Sequence, residues 1–173
     1  MTRTIIRIAG ILLFLPALAS AGALTDDAEG TLLKALFGDA RDASFAPATW
    51  YVALYTSNPG ETAGGSECTG TDYARASVAN SSANWDLTGG GATDANADGV
   101  ADDATIENAN AINFATVGSG GWCGGSPATH WALLDSASGG TMWIYSALTA
   151  SVTLDAGDEP SFAAGALTFQ LDD

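Results

Sequence analysis

Thr129 to Leu171 restricts the fold more than any other stretch of this chain. His130-Trp-Ala-Leu-Leu-Asp135 leads into Ser136-Ala-Ser-Gly-Gly140 and then into Thr141-Met-Trp-Ile-Tyr-Ser-Ala-Leu148. Two apolar runs flank a glycine pair that reaches positive φ at little cost, which is the pattern of a β-hairpin. Ser151-Val-Thr-Leu154, a turn at Asp155-Ala-Gly-Asp158, Pro160-Ser-Phe-Ala163 and Leu167-Thr-Phe-Gln-Leu171 continue the series. Leu167, Phe169 and Leu171 alternate with Thr168 and Gln170, the period of a strand with one buried face.

Earlier strands are predicted at Trp50 to Thr56, Asp72 to Val78 and Ala111 to Thr116, separated by loops rich in Gly, Asn and Asp. Trp50, Val52 and Leu54 fall on one face of the first, and Tyr51, Ala53 and Tyr55 on the other. About eight short strands at this spacing predict an all-β chain, an antiparallel β-sandwich of jelly-roll-like or Ig-like form. One helix is expected beside it, over Leu24 to Phe37. Thr25 is its N-cap, Asp26, Asp27 and Glu29 suit the positive end of the helix dipole, and Gly38 stops it. Leu24, Ala28, Leu32 and Leu36 form an apolar stripe that covers the sheet or docks on a neighbouring subunit.

Residues 1–21 read as a secretory signal peptide. Arg3 and Arg7 precede an apolar run from Ile8 to Leu18, and Ala19-Ser20-Ala21 is a small-residue cleavage site. The run is short of the roughly 20 residues of a membrane span. The expected organisation is therefore a leader at 1–21, helix and connector at 22–48, and a β domain at 49–173 with an acidic insert at 93–107. Export places the protein outside the cell, with no membrane attachment after cleavage. Cys68 and Cys123, an even pair in an exported chain, predict one disulfide.

Charge narrows the partners. Without the leader, Lys34, Arg41 and Arg75 stand against 20 acidic side chains, a formal charge of −17. Phosphate recognition needs cations, so nucleic acid is excluded as a partner, and anionic lipid with it. Divalent cations are favoured. Asp94-Ala-Asn96-Ala-Asp98-Gly99-Val100-Ala-Asp102-Asp103 alternates oxygen donors and turns at a glycine, as a calcium-wrapping loop does. Asp94, Asn96, Asp98, the Val100 carbonyl, and Asp102 or Asp103 are the expected ligands. Thr105 stands where an EF-hand has its glutamate, so the loop is of a shorter, aspartate-rich kind. The competing reading is a solvated acidic loop. Arg75 reads as one member of a surface ion pair of small worth.

Enzymatic signals are weak. His130 is the only histidine and opens an apolar strand, and no G-x-S-x-G element occurs. Trp85, Trp122 and Trp143 are candidate stacking surfaces for sugar rings if they are exposed.

Pro47-Ala-Thr-Trp-Tyr-Val-Ala-Leu-Tyr-Thr-Ser-Asn-Pro59, Tyr73-Ala-Arg75, Trp131-Ala-Leu-Leu-Asp-Ser-Ala-Ser-Gly-Gly140, Ser146-Ala-Leu-Thr149 and Ala164-Gly-Ala-Leu-Thr168 occur in that order. With the opening Leu24-Thr25-Asp26, the succession resembles a family of small bacteriophage tail-fibre or minor tail structural proteins. The resemblance implies membership of a multimeric assembly and no catalysis. The leader, the acidic insert and the cysteines depart from a virion pattern and point to a secreted version, a calcium-stabilised filament or appendage subunit. The alternative is a calcium-dependent adhesin or carbohydrate-binding module with a glycan or surface receptor as partner.

Overall fold

The computed structural model describes residues 12–14, 23–24, 47–88 and 105–170. These form eleven strands: β1 (Leu12–Phe14), β2 (Ala23–Leu24), β3 (Thr49–Tyr55), β4 (Ala76–Ala79), β5 (Trp85–Thr88), β6 (Thr105–Asn108), β7 (Ile112–Asn113), β8 (Ala128–Leu134), β9 (Met142–Val152), β10 (Glu159–Phe162) and β11 (Thr168–Gln170). A single 3-10 turn spans Cys123–Gly125.

Three sheets result. The largest runs β2-β9-β8-β3-β4, and two three-stranded sheets run β1-β10-β7 and β11-β6-β5. Every ladder is antiparallel except β1 with β10. The hairpin β8–β9 forms as its glycines predict, with Gly139 at φ 59° and Gly140 at φ 77°. A side chain at Gly140 would also meet Asp135 and Ser136, so the turn requires glycine on two counts.

The alternation read from β3 is realised. Val52 and Leu54 enter the main core with Trp131 and Leu133 of β8, Ile112 of β7 and Phe162 of β10, while Trp50, Trp85 and Phe169 pack on its margin. Trp131 is fully buried and meets Phe162 and Phe169 edge-on. Ala53, Tyr55, Ala132, Leu134 and Met142 form a second cluster on the opposite face. The centre of the large sheet is thus buried on both sides. Trp143 is the extra residue where the β8–β9 register shifts between Leu133 and Leu134. It packs edge-on against Trp50, with ring centroids 5.6 Å apart.

Several expectations change. A two-sheet sandwich is replaced by one five-stranded sheet and two small ones. Trp85–Thr88 and Thr105–Asn108, read as polar loop and acidic insert, are paired strands. The cause is packing: Trp85 and Phe169 meet with ring centroids 5.7 Å apart, and this anchors a segment whose composition suggests a loop. The insert therefore ends before Thr105, and residues 93–104 lie outside the described residues. Of the expected helix, Leu24 is a strand residue paired with Ile144, and the rest lies outside the described residues. Leu12–Phe14, within the expected leader, pair in parallel with Glu159 to Ser161. A glycine loop and Asp72 to Ala74 precede β4, which starts at Ala76, because the Leu54 carbonyl and N–H that would continue the ladder are taken by the Cys68 N–H and the Tyr73 hydroxyl.

Candidate functional site

Arg75 is the only lysine or arginine among the described residues. It is not a surface ion pair. Its side chain is 6% exposed and that of Glu67 is 26%. The guanidinium donates from Nε to Glu67 Oε1 at 2.8 Å and from Nη2 to Oε2 at 2.7 Å. Nη1 donates to the carbonyls of Ser136 at 2.6 Å and Gly139 at 2.8 Å. One planar cation thus ties the β3–β4 connection to the tip of the β8–β9 hairpin, a task suited to a rigid fork of donors. The hydrogen bonds to Glu67 hold the guanidinium pKa above its ordinary value.

Tyr73 completes the node. Its hydroxyl accepts from the Leu54 N–H at 3.1 Å and donates to Glu67 Oε1 at 3.2 Å. Burial pushes the phenol pKa well up. The ring meets Trp122 edge-on at 5.1 Å. Next to it, Cys68 and Cys123 form the predicted disulfide, with Cα atoms 4.2 Å apart and both residues buried. Trp122 Nε1 donates to the Thr71 carbonyl at 2.8 Å.

A second polar anchor was not legible in the sequence. Asn108 is fully buried. Its Nδ2 donates to the carbonyls of Asn110 and Ala163, each at 2.7 Å, and its Oδ1 accepts from the Leu167 N–H at 2.8 Å. The side chain substitutes for a missing piece of ladder between β6 and the loop before β11.

The predicted site residues fare differently. Asp94, Asn96, Asp98, Val100, Asp102 and Asp103 lie outside the described residues. Among the described residues, no group of three or more His, Cys, Asp or Glu side chains is placed to hold a metal. Trp122 is fully buried and offers no stacking face. Trp85 is half-buried with its Nε1 enclosed and unpartnered, and Trp143 leans on Trp50 with Nε1 3.4 Å from Asp135 Oδ2. His130 Nδ1 lies 2.8 Å from Thr129 Oγ1, and partial burial lowers its pKa. No helix among the described residues is long and apolar enough to cross a membrane.

A concave surface lies between the edges of β4 and β7. It is a groove of about 380 Å³ lined by Ser77, Val78, Ala79, Asn84, and residues 110–113. Asn84 Nδ2 caps the Ala79 carbonyl at 3.1 Å, and Asn110 Nδ2 donates to the Ala83 carbonyl at 2.7 Å.

The fold and its bonded network define a disulfide-stapled, mostly antiparallel β domain in which polar side chains fasten loops. A family model described as podophage GP4 fiber I protein gp80 matches residues 23–170, and the chain belongs to that family of phage tail-fibre proteins. A search of curated proteins returned no match.

Proposed function

We propose that the chain is a non-catalytic structural subunit that self-associates into an extracellular fibre or tail-like appendage. The family match over residues 23–170 is the observation that carries this reading. The buried node around Arg75, the disulfide and the Asn108 anchor support it, because they suit a domain built to keep its shape. The apolar run from Ile8 to Leu18 and the Ala19-Ser20-Ala21 site support export with cleavage after residue 21. The loop from Asp94 to Asp103 binds calcium in this reading, which lowers the repulsion within a strongly acidic chain.

Sedimentation and electron microscopy of the purified mature chain test the assembly. Large regular particles are expected, and a stable monomer at high concentration would end the proposal. Calcium titration by calorimetry tests the loop. A binding heat that Asp98→Ala abolishes is expected, and an identical heat in that variant would remove the loop as the site. A second reading, a carbohydrate-binding module, is favoured by the polar groove between β4 and β7.

A further inference from the structure

β10 is paired along both edges, and the two edges differ. On one side lies β7. The Phe114 N–H donates to the Pro160 carbonyl at 3.0 Å, the Val117 N–H donates to the Asp158 carbonyl at 2.8 Å, and Phe162 stands opposite Ile112. Backbone polar groups alternate in direction along a strand. Those of Asp158, Pro160 and Phe162 therefore face β7, and those of Glu159 and Ser161 face the other way. Proline has no N–H, and its place in β10 puts that gap on the β7 side. The outer edge keeps the N–H and the carbonyl of both Glu159 and Ser161.

The strand seated on that edge is β1, Leu12–Phe14 of the expected leader, which runs parallel with Leu13 opposite Pro160. In a parallel ladder Leu13 then bridges the backbones of Glu159 and Ser161. Cleavage after residue 21 takes this strand away. Glu159 and the buried Ser161 thereby lose the partners of two N–H groups and two carbonyls. A strand edge stripped in this way is a template for another chain.

We propose that the outer edge of β10 docks a second copy of this chain, two β10 strands pairing antiparallel about a two-fold axis at Pro160, and that the leader strand plugs this edge until cleavage. This rests on the reading of residues 1–21 as a cleaved leader. β10 is complementary to itself in this register. Glu159 of each copy meets Ser161 of the other as a hydrogen-bonded pair, which satisfies every outward N–H and carbonyl. Pro160 faces its counterpart across the axis as a non-hydrogen-bonded pair, where a missing N–H costs nothing. The register also keeps Glu159 away from Glu159 of the second copy, whose like charge directly opposite would destabilise the pair. The pairing needs no strand beyond those described and makes one continuous sheet in the order β7-β10-β10-β7. Two chains of formal charge −17 repel each other, so added salt should strengthen the pair. A two-fold contact closes on itself, so it makes a building unit, and growth of a fibre takes another surface.

The test compares the full chain with the secreted, processed chain by analytical ultracentrifugation and amide hydrogen exchange. The full chain should be monomeric, and Leu13→Pro in it, which removes the N–H that β1 offers to β10, should shift it toward dimer. The processed chain should dimerise, and its Glu159 and Ser161 amides should gain protection as concentration rises. Glu159→Pro in the processed chain removes two of the four intermolecular hydrogen bonds and should weaken the dimer about 25-fold, at about fivefold per bond. Exchange in the parent needs no variant, so it decides the register even where a proline at 159 unfolds the chain. A processed chain that stays monomeric, dimers whose Glu159 and Ser161 amides exchange freely, equal dimerisation of the full and processed chains, or a secreted chain that still begins at Met1 would overturn the assignment. Dimers with the expected protection that grow no further leave this pairing standing and refute the fibre reading. Large regular particles whose Glu159 and Ser161 amides stay unprotected do the reverse.

Discussion

Replacing Arg75 by alanine should cost the protein about 3 kcal/mol. Breaking one half of a buried ion pair typically costs ~3–5 kcal/mol, because the abandoned charge remains desolvated. Glu67 is 26% exposed, so water reaches the orphaned carboxylate and moves the figure to the low end of that range. The carbonyls of Ser136 and Gly139 also lose their donors, at about 1 kcal/mol each before water replaces the guanidinium at the exposed hairpin tip. Arg75→Lys should recover less than half of the loss, since an ammonium cannot reproduce a fork that reaches a carboxylate and two carbonyls at once. Urea unfolding followed by tryptophan fluorescence reads the effect. At a slope of about 2 kcal/mol per molar urea, the midpoint falls by about 1.5 M. A double-mutant cycle with Glu67→Ala should give a coupling of about 1–3 kcal/mol. A loss below about 0.5 kcal/mol for Arg75→Ala, the worth of an exposed pair, would refute the view that this cation fastens the hairpin to the β3–β4 connection.

Substituting Cys68 and Cys123 together by serine reopens a loop whose ends are 55 residues apart, worth about 4 kcal/mol in the chain-entropy model; calorimetric melting of the two forms checks it, and equal stabilities would contradict it. Asn108→Ala strands the Leu167 N–H and the Asn110 and Ala163 carbonyls in the core and should cost ~3 kcal/mol or more by urea unfolding, whereas a loss under 1 kcal/mol would mean that water takes over the anchor. The pKa of Tyr73 is raised in the folded state, so its contribution is intact below the ordinary phenol value near 10 and is lost as pH rises from there toward the folded value; stability should fall in alkali, less steeply in Tyr73→Phe, and parallel curves would contradict this. The pKa of His130 is lowered, so the unfolded chain takes up its proton first; His130 weakens the fold only as pH drops from the ordinary value near 6.5 toward the folded one, and a His130→Gln variant should lack that step in a pH series of melting temperatures.

How much of this was legible depends on the range of the interaction concerned. β3, β8, β9 and β11 announce themselves, because alternation and turn glycines are local signals carried by consecutive residues. β5 and β6 do not. Their apolar residues are sparse, and what makes them strands is Trp85 against Phe169, a partner more than eighty positions away. The disulfide was legible from cysteine parity, since two cysteines have one possible intramolecular pairing. Arg75 carried no such signal. A lone arginine in an acidic chain looks like a surface residue until the hairpin tip is brought over it.

By itself, the sequence determined a mostly antiparallel β chain, the β8–β9 hairpin with its paired glycines, the faces of β3, the disulfide partners and the likeness to tail-fibre proteins. The tertiary structure alone decided that three sheets form, that Trp122 is buried rather than offered to a ligand, and that Arg75 and Asn108 fasten distant loops. The physical reason is the same throughout. Alternation and turn chemistry act between neighbours along the chain, whereas burial and hydrogen-bond satisfaction are set by residues that only folding brings together.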